Sequence, residues 1–153
     1  MKNIMQETRI EITDVVRHAI ESALLGQKLT ELSFPDINIE VPNIREHGDF
    51  STNIAMQITK AVRKPPRKTA EILINHMNTE GTHIDRVEVA GPGFINFFLD
   101  KEWLFEALQI VMKEGDKYGN SNMGEGKKVM VEFVSANPTG PLHIGSARGG
   151  ALG

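Results

Sequence analysis

The chain has 153 residues, of which 40% are hydrophobic and 24% are charged, and its net charge is −3. That size and composition suit a globular protein with one well-formed core. The chain contains no cysteine, which excludes disulfides and thiolate zinc sites, and no two histidines show the i, i+4 spacing of a helical metal site. It has no signal-peptide pattern and no run of roughly 18 apolar residues, so we expect a cytoplasmic protein that binds no metal and no membrane.

The first predicted element is a helix from about Ile4 to Leu25, with Gly26 suited to end it. Residues 37–41 then alternate apolar and polar side chains, which predicts a half-buried strand ended by Pro42. One apolar stripe at helical spacing marks the helix: Ile12, Val15, Val16, Ala19, Ile20, Ala23 and Leu24.

A second helix is predicted to begin at a cap formed by Asp49 or Ser51 and to end at Pro65-Pro66, where Pro66 opens a third helix. The apolar residues expected to face inward are Ile54, Ile58, Ala61 and Val62 in the second helix and Ala70, Leu73, Ile74 and Met77 in the third.

Five cations lie across the break between these two helices. This basic cluster consists of Lys60, Arg63, Lys64, Arg67 and Lys68. A solvated helix end explains such a run, and so does an anion-binding surface at the N-terminal end of the third helix.

A hairpin and a fourth helix follow. Strand residues around Val87 and Val89, the turn Gly91-Pro92-Gly93 and a strand from Phe94 to Leu99 predict an antiparallel pair. Asp100 is suited to cap the fourth helix and Gly115 to end it. The residues expected to face inward from that helix are Trp103, Leu104, Ala107, Leu108 and Val111.

The stretch from Gly115 to Lys128 is polar and rich in glycine, and we place a domain boundary there. The predicted organisation is a domain over residues 1–115, a linker over 116–128 and the start of a second domain over 129–153. The first domain is predicted to be α+β, with about four helices and a small, mainly antiparallel sheet.

Residues 129–134 are apolar almost without interruption, as in a strand of a parallel sheet covered on both faces. In such sheets ligands bind beyond the carboxyl ends of the strands. Ser135 and Asn137 could orient a polar ligand there, and Glu132 adds a carboxylate. His143 stands where a helix should begin, close to Gly145, and its imidazole is placed to hold phosphate oxygens.

A plainer interpretation makes this segment a Pro/Gly loop in which His143 is merely hydrogen-bonded. Two nucleotide motifs are excluded nearby, because residues 124–128 lack the spacing of a phosphate loop and residues 145–150 lack that of a dinucleotide fingerprint.

The run from Val131 to Gly145, VEFVSANPTGPLHIG, closely resembles the opening of the catalytic domain of bacterial arginyl-tRNA synthetases. His143-Ile144-Gly145 resembles the first three residues of the HIGH signature of class I aminoacyl-tRNA synthetases. Residues 46–56 (EHGDFSTNIAM) and 89–96 (VAGPGFIN) resemble segments of the N-terminal accessory domain of the same family. The resemblance covers essentially the whole chain.

The resemblance implies an enzyme that activates arginine with ATP, accompanied by Mg²⁺, and transfers it to tRNA(Arg). Glu132, Ser135 and Asn137 would line the arginine pocket, while His143, Gly145 and the residue after it would contact ATP. The accessory domain would touch the outer corner of the tRNA, where the D-loop lies, which offers the basic cluster a partner. Residues 129–153 would be the first strand and helix start of a Rossmann-type catalytic domain.

One position departs from the signature, since its second histidine is Ser146 here. Serine keeps one hydroxyl donor but loses reach and any positive charge. Losing a donor of this type commonly costs about 10²–10³ in rate.

From the resemblance we expect the N-terminal part of an arginyl-tRNA synthetase whose parent is a monomer and whose 153 residues alone are catalytically inactive. Strand 129–134 would lack partners, so it is expected to be disordered, to add to the sheet of the first domain, or to pair with a second copy. Two alternatives remain: a free-standing tRNA-binding module, and an interaction domain that retained synthetase sequence.

Overall fold

The computed structural model describes residues 3–25, 35–122 and 124–153. It divides into two compact units, one running to Tyr118 and the other from Gly119 to Gly153. The first unit is α+β, with helices on a three-stranded antiparallel sheet, as predicted. Among the described residues, no helix is both long and apolar enough to cross a membrane.

Helix α1 spans Ile4–Leu25, as its apolar stripe predicts. Ile12 and Val16 are completely buried, and Ala23 and Leu24 pack against the edge of the core. Gly26, which was predicted to end this helix, lies outside the described residues.

The sheet consists of β1 (Phe50–Thr52), β2 (Ile84–Ala90) and β3 (Phe94–Leu99), in the order β1-β3-β2. The predicted hairpin of β2 and β3 is confirmed, and Val87 lies opposite Phe97 in its register. Phe97 also lies opposite Phe50 of β1. Both phenylalanines are buried in the main core, which the helices share with this face of the sheet.

The strand predicted over residues 37–41 is wrong in its extent. Glu40 and Ser51 form one antiparallel bridge, with N···O distances of 2.9 and 2.8 Å, and Ile39 is buried while Val41 is exposed. The ladder stops there because the partner, β1, is only three residues long. Strand β1 itself was not predicted.

The second predicted helix forms as two short helices, α2 (Ile54–Gln57) and α3 (Thr59–Val62), with a break at Ile58. Ile54 and Ile58 are buried as expected, whereas the two apolar residues of α3 are only half-buried.

The predicted caps of this helix are both wrong. Ser51 lies within β1, and the Oδ2 atom of Asp49 accepts a hydrogen bond from the backbone N–H of Leu99 at 2.8 Å. The hydroxyl of Thr52 lies 3.4 Å from the N atom of Ile54 instead. Pairing of β1 with β3 holds residues 50–52 extended, so the helix cannot begin before Ile54.

Helix α4 spans Pro66–Asn75 and begins at the predicted proline. Ala70 and Leu73 are buried, and Ile74 and Met77 pack partly against the core. The third predicted helix is therefore confirmed, with Met77 just beyond its end.

Helix α5 spans Lys101–Glu114, and both predicted ends are confirmed. The Oδ1 atom of Asp100 accepts from the N–H of Trp103 at 2.8 Å, and Gly115 follows the last turn with φ 53°. A side-chain carboxylate at the N-cap satisfies a backbone donor that the helix leaves unpaired.

The predicted inward face of α5 is largely wrong. Trp103 and Ala107 are half-buried, but Leu104, Leu108 and Val111 are 62%, 55% and 37% exposed. Polar contacts set the rotation of the helix: the indole N–H of Trp103 donates to the Oγ1 atom of Thr8 at 2.7 Å. The Nε2 atom of His83 lies 3.1 Å from a carboxylate oxygen of Glu106 on the same face.

In the second unit, residues 129–134 form no strand in the 153-residue chain, so the first strand of a Rossmann-type domain is not seen. A strand requires partners for its backbone N–H and C=O groups, and none pairs with this segment in the described parts of the chain. The predicted helix start does form, as α6 (Ile144–Leu152). Glycines let α6 approach the segment closely, since a β-carbon on Gly149 would lie 2.9 Å from the carbonyl oxygen of Phe133.

Candidate functional site

The basic cluster surrounds a sharp change of direction between α3 and α4. Helix α3 ends at Arg63, which adopts the left-handed conformation with φ 53°. Pro65 then leads into α4, and its carbonyl oxygen accepts from the N–H of Thr69 at 2.9 Å. The C-terminal turn of one helix therefore meets the N-terminal turn of the next, as the sequence indicates.

Two of the five cations are held by the first unit itself. The Nη1 atom of Arg67 donates to the carbonyl oxygen of Gly91 at 3.0 Å, and Lys68 lies 3.2 Å from the carboxylate of Glu71. A β-carbon on Gly93 would lie 2.9 Å from the backbone of Pro66. The hairpin turn and the start of α4 are thus fitted closely together, and Arg67 contributes to that fit, whereas Lys68 pairs within α4.

The other three cations have no such partner. Lys60, Arg63 and Lys64 form no side-chain hydrogen bond or ion pair within residues 3–25, 35–122 and 124–153. Lys60 and Arg63 are exposed, while Lys64 is half-buried. We call these three residues the free cations.

Lys64 also lines a small apolar depression beside the cluster, together with Leu24, Val62 and Thr69. Its volume of about 20 Å³ is too small for a metabolite. The depression beside Lys64 is therefore not a small-molecule pocket, and Lys60 and Arg63 lie exposed next to it.

The second candidate site is the start of α6. The Nδ1 atom of His143 accepts from the backbone N–H groups of Gly145 at 3.1 Å and Ser146 at 3.4 Å. A ring nitrogen that accepts hydrogen bonds carries no proton, so the neutral imidazole holds its proton on Nε2. That atom lies 3.5 Å from the hydroxyl oxygen of Ser146, at the outer limit of a hydrogen bond.

His143 therefore caps the helix and still presents one N–H donor beside the Ser146 hydroxyl. A β-carbon on Gly145 would lie 3.0 Å from the imidazole ring. Any larger residue at that position would crowd the capping geometry.

The structure brings His143, Gly145 and Ser146 together at the start of α6. Glu132, Ser135 and Asn137 are exposed. In the described part of the second unit these three side chains make no hydrogen bond or ion pair with one another or with His143. Across the described ranges, no group of three or more His, Cys, Asp or Glu side chains could hold a metal ion.

Sequence reasoning missed the polar contacts that organise the first unit. The bond from Arg67 to Gly91 and the bond from Trp103 to Thr8 join positions 24 and 95 residues apart. The sequence did mark Gly91-Pro92-Gly93 as a turn and Trp103 as an inward residue, but it gave no sign of which distant residue each one contacts.

The chain matches a known protein family. The sequence model described as Arginyl tRNA synthetase N terminal domain matches residues 11–99.

Similar curated proteins extend this match over the whole chain. The chain is 54% identical over 153 residues to the arginine–tRNA ligase of Acetivibrio thermocellus and 56% identical to that of Ruminiclostridium cellulolyticum. It is 46% identical over 151 residues to that of Listeria welshimeri. Each match covers 99–100% of this chain but only 27% of the relative, so the chain spans about a quarter of these relatives' length.

Among solved structures, the chain resembles the arginyl-tRNA synthetase from Plasmodium falciparum, with a TM-score of 0.51. The alignment covers 64% of this chain and 17% of that one at 20% identity. At that identity the likeness concerns the fold alone.

Proposed function

Because the chain belongs to the arginyl-tRNA synthetase family, whose N-terminal domain it carries, we propose that it is the N-terminal part of an arginine–tRNA ligase. The ligase would act in the cytoplasm. It would join arginine to ATP as an adenylate and then pass the arginyl group to tRNA(Arg). The accessory domain would occupy residues 1–115, and residues 116–128 would link it to the start of a Rossmann-type catalytic domain.

The observation that carries the role of the first unit is the set of free cations. Arg67 and Lys68 already have partners in the first unit, the carbonyl oxygen of Gly91 and the carboxylate of Glu71. The three free cations instead lie at the break between α3 and α4, in a domain that matches the N-terminal domain of arginyl-tRNA synthetases. Phosphate groups of a nucleic acid are the ligand class that fits such a surface.

The conformation of Arg63 adds to this argument. A non-glycine residue in the left-handed region costs about 1 kcal/mol or more relative to glycine, and glycine is the usual residue at this position of a helix end. The guanidinium of this residue forms no hydrogen bond or ion pair in the described residues that would offset the strain. An intermolecular contact would explain why arginine is present here.

At the start of α6 we propose that His143, Gly145 and Ser146 contact ATP, and that Glu132, Ser135 and Asn137 contact arginine. In adenylate formation a carboxylate oxygen of arginine attacks the α-phosphorus of ATP, and pyrophosphate leaves with the electrons of the broken P–O bond. The Nε2–H of His143 would donate to phosphate oxygens as negative charge builds on them. Mg²⁺ would arrive with the phosphates of ATP, since the described residues offer it no cluster of ligands.

The 153 residues alone should be catalytically inactive. Glu132, Ser135 and Asn137 are exposed and form no hydrogen bond with His143, so the described part of the second unit holds no closed site that aligns two substrates. ATP–pyrophosphate exchange with arginine and tRNA measures this directly. Clear turnover by the 153-residue chain would contradict the expectation of an inactive fragment.

The tRNA role is tested by charge reversal. In Arg63→Glu/Lys64→Glu the affinity for tRNA(Arg) should fall, and the slope of log affinity against log salt should decrease by about 1 for each phosphate that the variant no longer neutralises. The matched control is Lys127→Glu/Lys128→Glu, which changes the net charge equally outside the cluster. Equal decreases of affinity and slope in the two variants would remove the basic cluster from the tRNA site.

A second candidate function is a free-standing tRNA-binding module. Two features of the first unit favour this candidate: the unit has its own buried core, and it carries the free cations. The length of the gene distinguishes the two candidates, because a ligase requires several hundred further codons.

A further inference from the structure

Helix α5 presents its more apolar side to solvent. Leu104, Phe105, Leu108, Val111 and Met112 recur at positions i, i+1, i+4, i+7 and i+8, which places them on one side of a helix. Their side chains are between 37% and 76% exposed, with Val111 the least exposed and Met112 the most. We call these five residues the outer face of α5.

The inner side of the same helix is less apolar, although it is the side that contacts the first unit. Its half-buried residues include Glu106 and Glu114 beside Trp103, Ala107 and Ile110. The orientation is not arbitrary, because the Asp100 cap and the bond from Trp103 to Thr8 fix it. A helix that turns its apolar stripe outward in this way presents a contiguous patch of the kind that marks an interaction surface.

The size of the outer face argues against a second copy as its partner. One side of a single 14-residue helix offers less accessible surface than the roughly 800 Å² that each partner of a stable dimer buries. A segment of the same polypeptide docks at a high effective concentration, so a smaller area is sufficient for it.

The position of α5 in the family comparison indicates which part of the same polypeptide docks on the outer face. The N-terminal domain model ends at residue 99, immediately before α5, whereas the curated relatives match through α5 to the end of the chain. About three quarters of the length of those relatives lies outside this match. Helix α5 therefore belongs to the region through which the N-terminal domain joins the rest of the ligase.

We propose that the outer face of α5 is the docking surface on which the remaining part of the ligase packs, through an apolar surface of its own. The proposal rests on the proposed function, because it requires a parent ligase. Burying side chains such as Leu104 and Leu108 removes apolar surface from water, and this supplies the driving force. The accessory domain would then be held in one orientation relative to the catalytic site, instead of swinging on a flexible linker.

Cysteine labelling tests this, because the chain contains no cysteine of its own. Leu108→Cys probes the outer face, and Gln109→Cys, at the adjacent exposed position, is the matched control. Each variant is prepared in the 153-residue chain and in the full-length ligase. Maleimide labelling is then followed by mass spectrometry of the tryptic peptide 102–113, which carries both positions and separates them from any other cysteine of the ligase.

The expected result is that Cys labelling at position 108 is about tenfold slower or more in the full-length ligase than in the 153-residue chain, because labelling there requires the domains to separate. The rate at position 109 should be the same in both. Leu104→Cys, at a second position of the outer face, should behave like Leu108→Cys. Agreement between the two variants shows that neither substitution by itself disturbs docking.

Equal rates in the two proteins at both outer positions would overturn the proposal, because the face would then be uncovered in the ligase. Slow labelling of the 153-residue chain that becomes faster on dilution would also overturn it, in favour of a second copy. Arginine charging by the unmodified full-length protein is measured on the same preparation. Absence of charging would refute the proposed function, whereas the labelling ratio alone decides the docking surface.

Discussion

Gly48 is the position at which one methyl group should damage the first unit most. Its backbone has φ 88° and ψ −170°, a region that is essentially restricted to glycine. A β-carbon there would lie 2.6 Å from the carbonyl oxygen of Phe97. That oxygen accepts from the N–H of Asp49 at 2.9 Å, and the Asp49 carboxylate accepts from the N–H of Leu99 at 2.8 Å.

The cost of Gly48→Ala follows from these contacts. The backbone strain costs about 1–3 kcal/mol, and each of the two hydrogen bonds that hold Asp49 on β3 contributes about 0.5–1.5 kcal/mol. Together these amount to about 2–6 kcal/mol, against a total of about 5–15 kcal/mol for a typical domain. Gly91→Ala is the matched control, because Gly91 has φ 50° but nothing within 4 Å of its β-carbon. Gly91→Ala should lower the free energy of unfolding by only about 1–2 kcal/mol.

Urea unfolding of the 153-residue chain measures both variants. Trp103 is the single tryptophan and is half-buried against α1, so its fluorescence reports on the first unit. With a slope of about 1–3 kcal/mol per molar urea, Gly48→Ala should lower the unfolding midpoint by roughly 1–3 M. A destabilisation no larger than that of Gly91→Ala would refute the close approach of residues 48–49 to β3.

Three further outcomes are expected. Thr8→Val removes the acceptor of the Trp103 indole N–H, and it should lower the free energy of unfolding by about 1–3 kcal/mol in thermal unfolding followed by circular dichroism; an unchanged melting curve would mean that water replaces the hydroxyl. Asp100→Ala should cost about 1 kcal/mol by removing the α5 cap, and Glu102→Ala, in the same turn, should cost less than half as much in the same assay. In the full-length ligase, Ser146→His should raise the rate of adenylate formation in ATP–pyrophosphate exchange by up to about 10²; no gain would mean that other groups already compensate for the serine.

Local sequence patterns predicted an element correctly where a local residue pattern or a single residue determines where the helix or turn begins or ends. The apolar stripe of α1, the glycines of the hairpin turn, Pro66 at the start of α4 and Asp100 before α5 all gave the correct element. Each acts through its own backbone or its immediate neighbours.

Elements that depend on distant partners were predicted poorly. Strand β1 exists because β3 lies beside it, and its formation delays the start of α2 to Ile54. Residues 129–134 show the converse, since an apolar sequence with strand propensity forms no strand where nothing pairs with it.

For the candidate sites, the sequence by itself determined the cations of the basic cluster, the identity of Ser146 and, through motif resemblance, the family to which the chain belongs. The tertiary structure decided that Arg67 is held by the carbonyl oxygen of Gly91, because these two residues meet only when the hairpin turn packs on α4, whereas Lys68 meets Glu71 within α4 itself. It also decided which side of α5 faces outward. Helical periodicity defines an apolar stripe, but the direction in which the stripe points depends on contacts with Thr8 and His83, which lie far away in the chain.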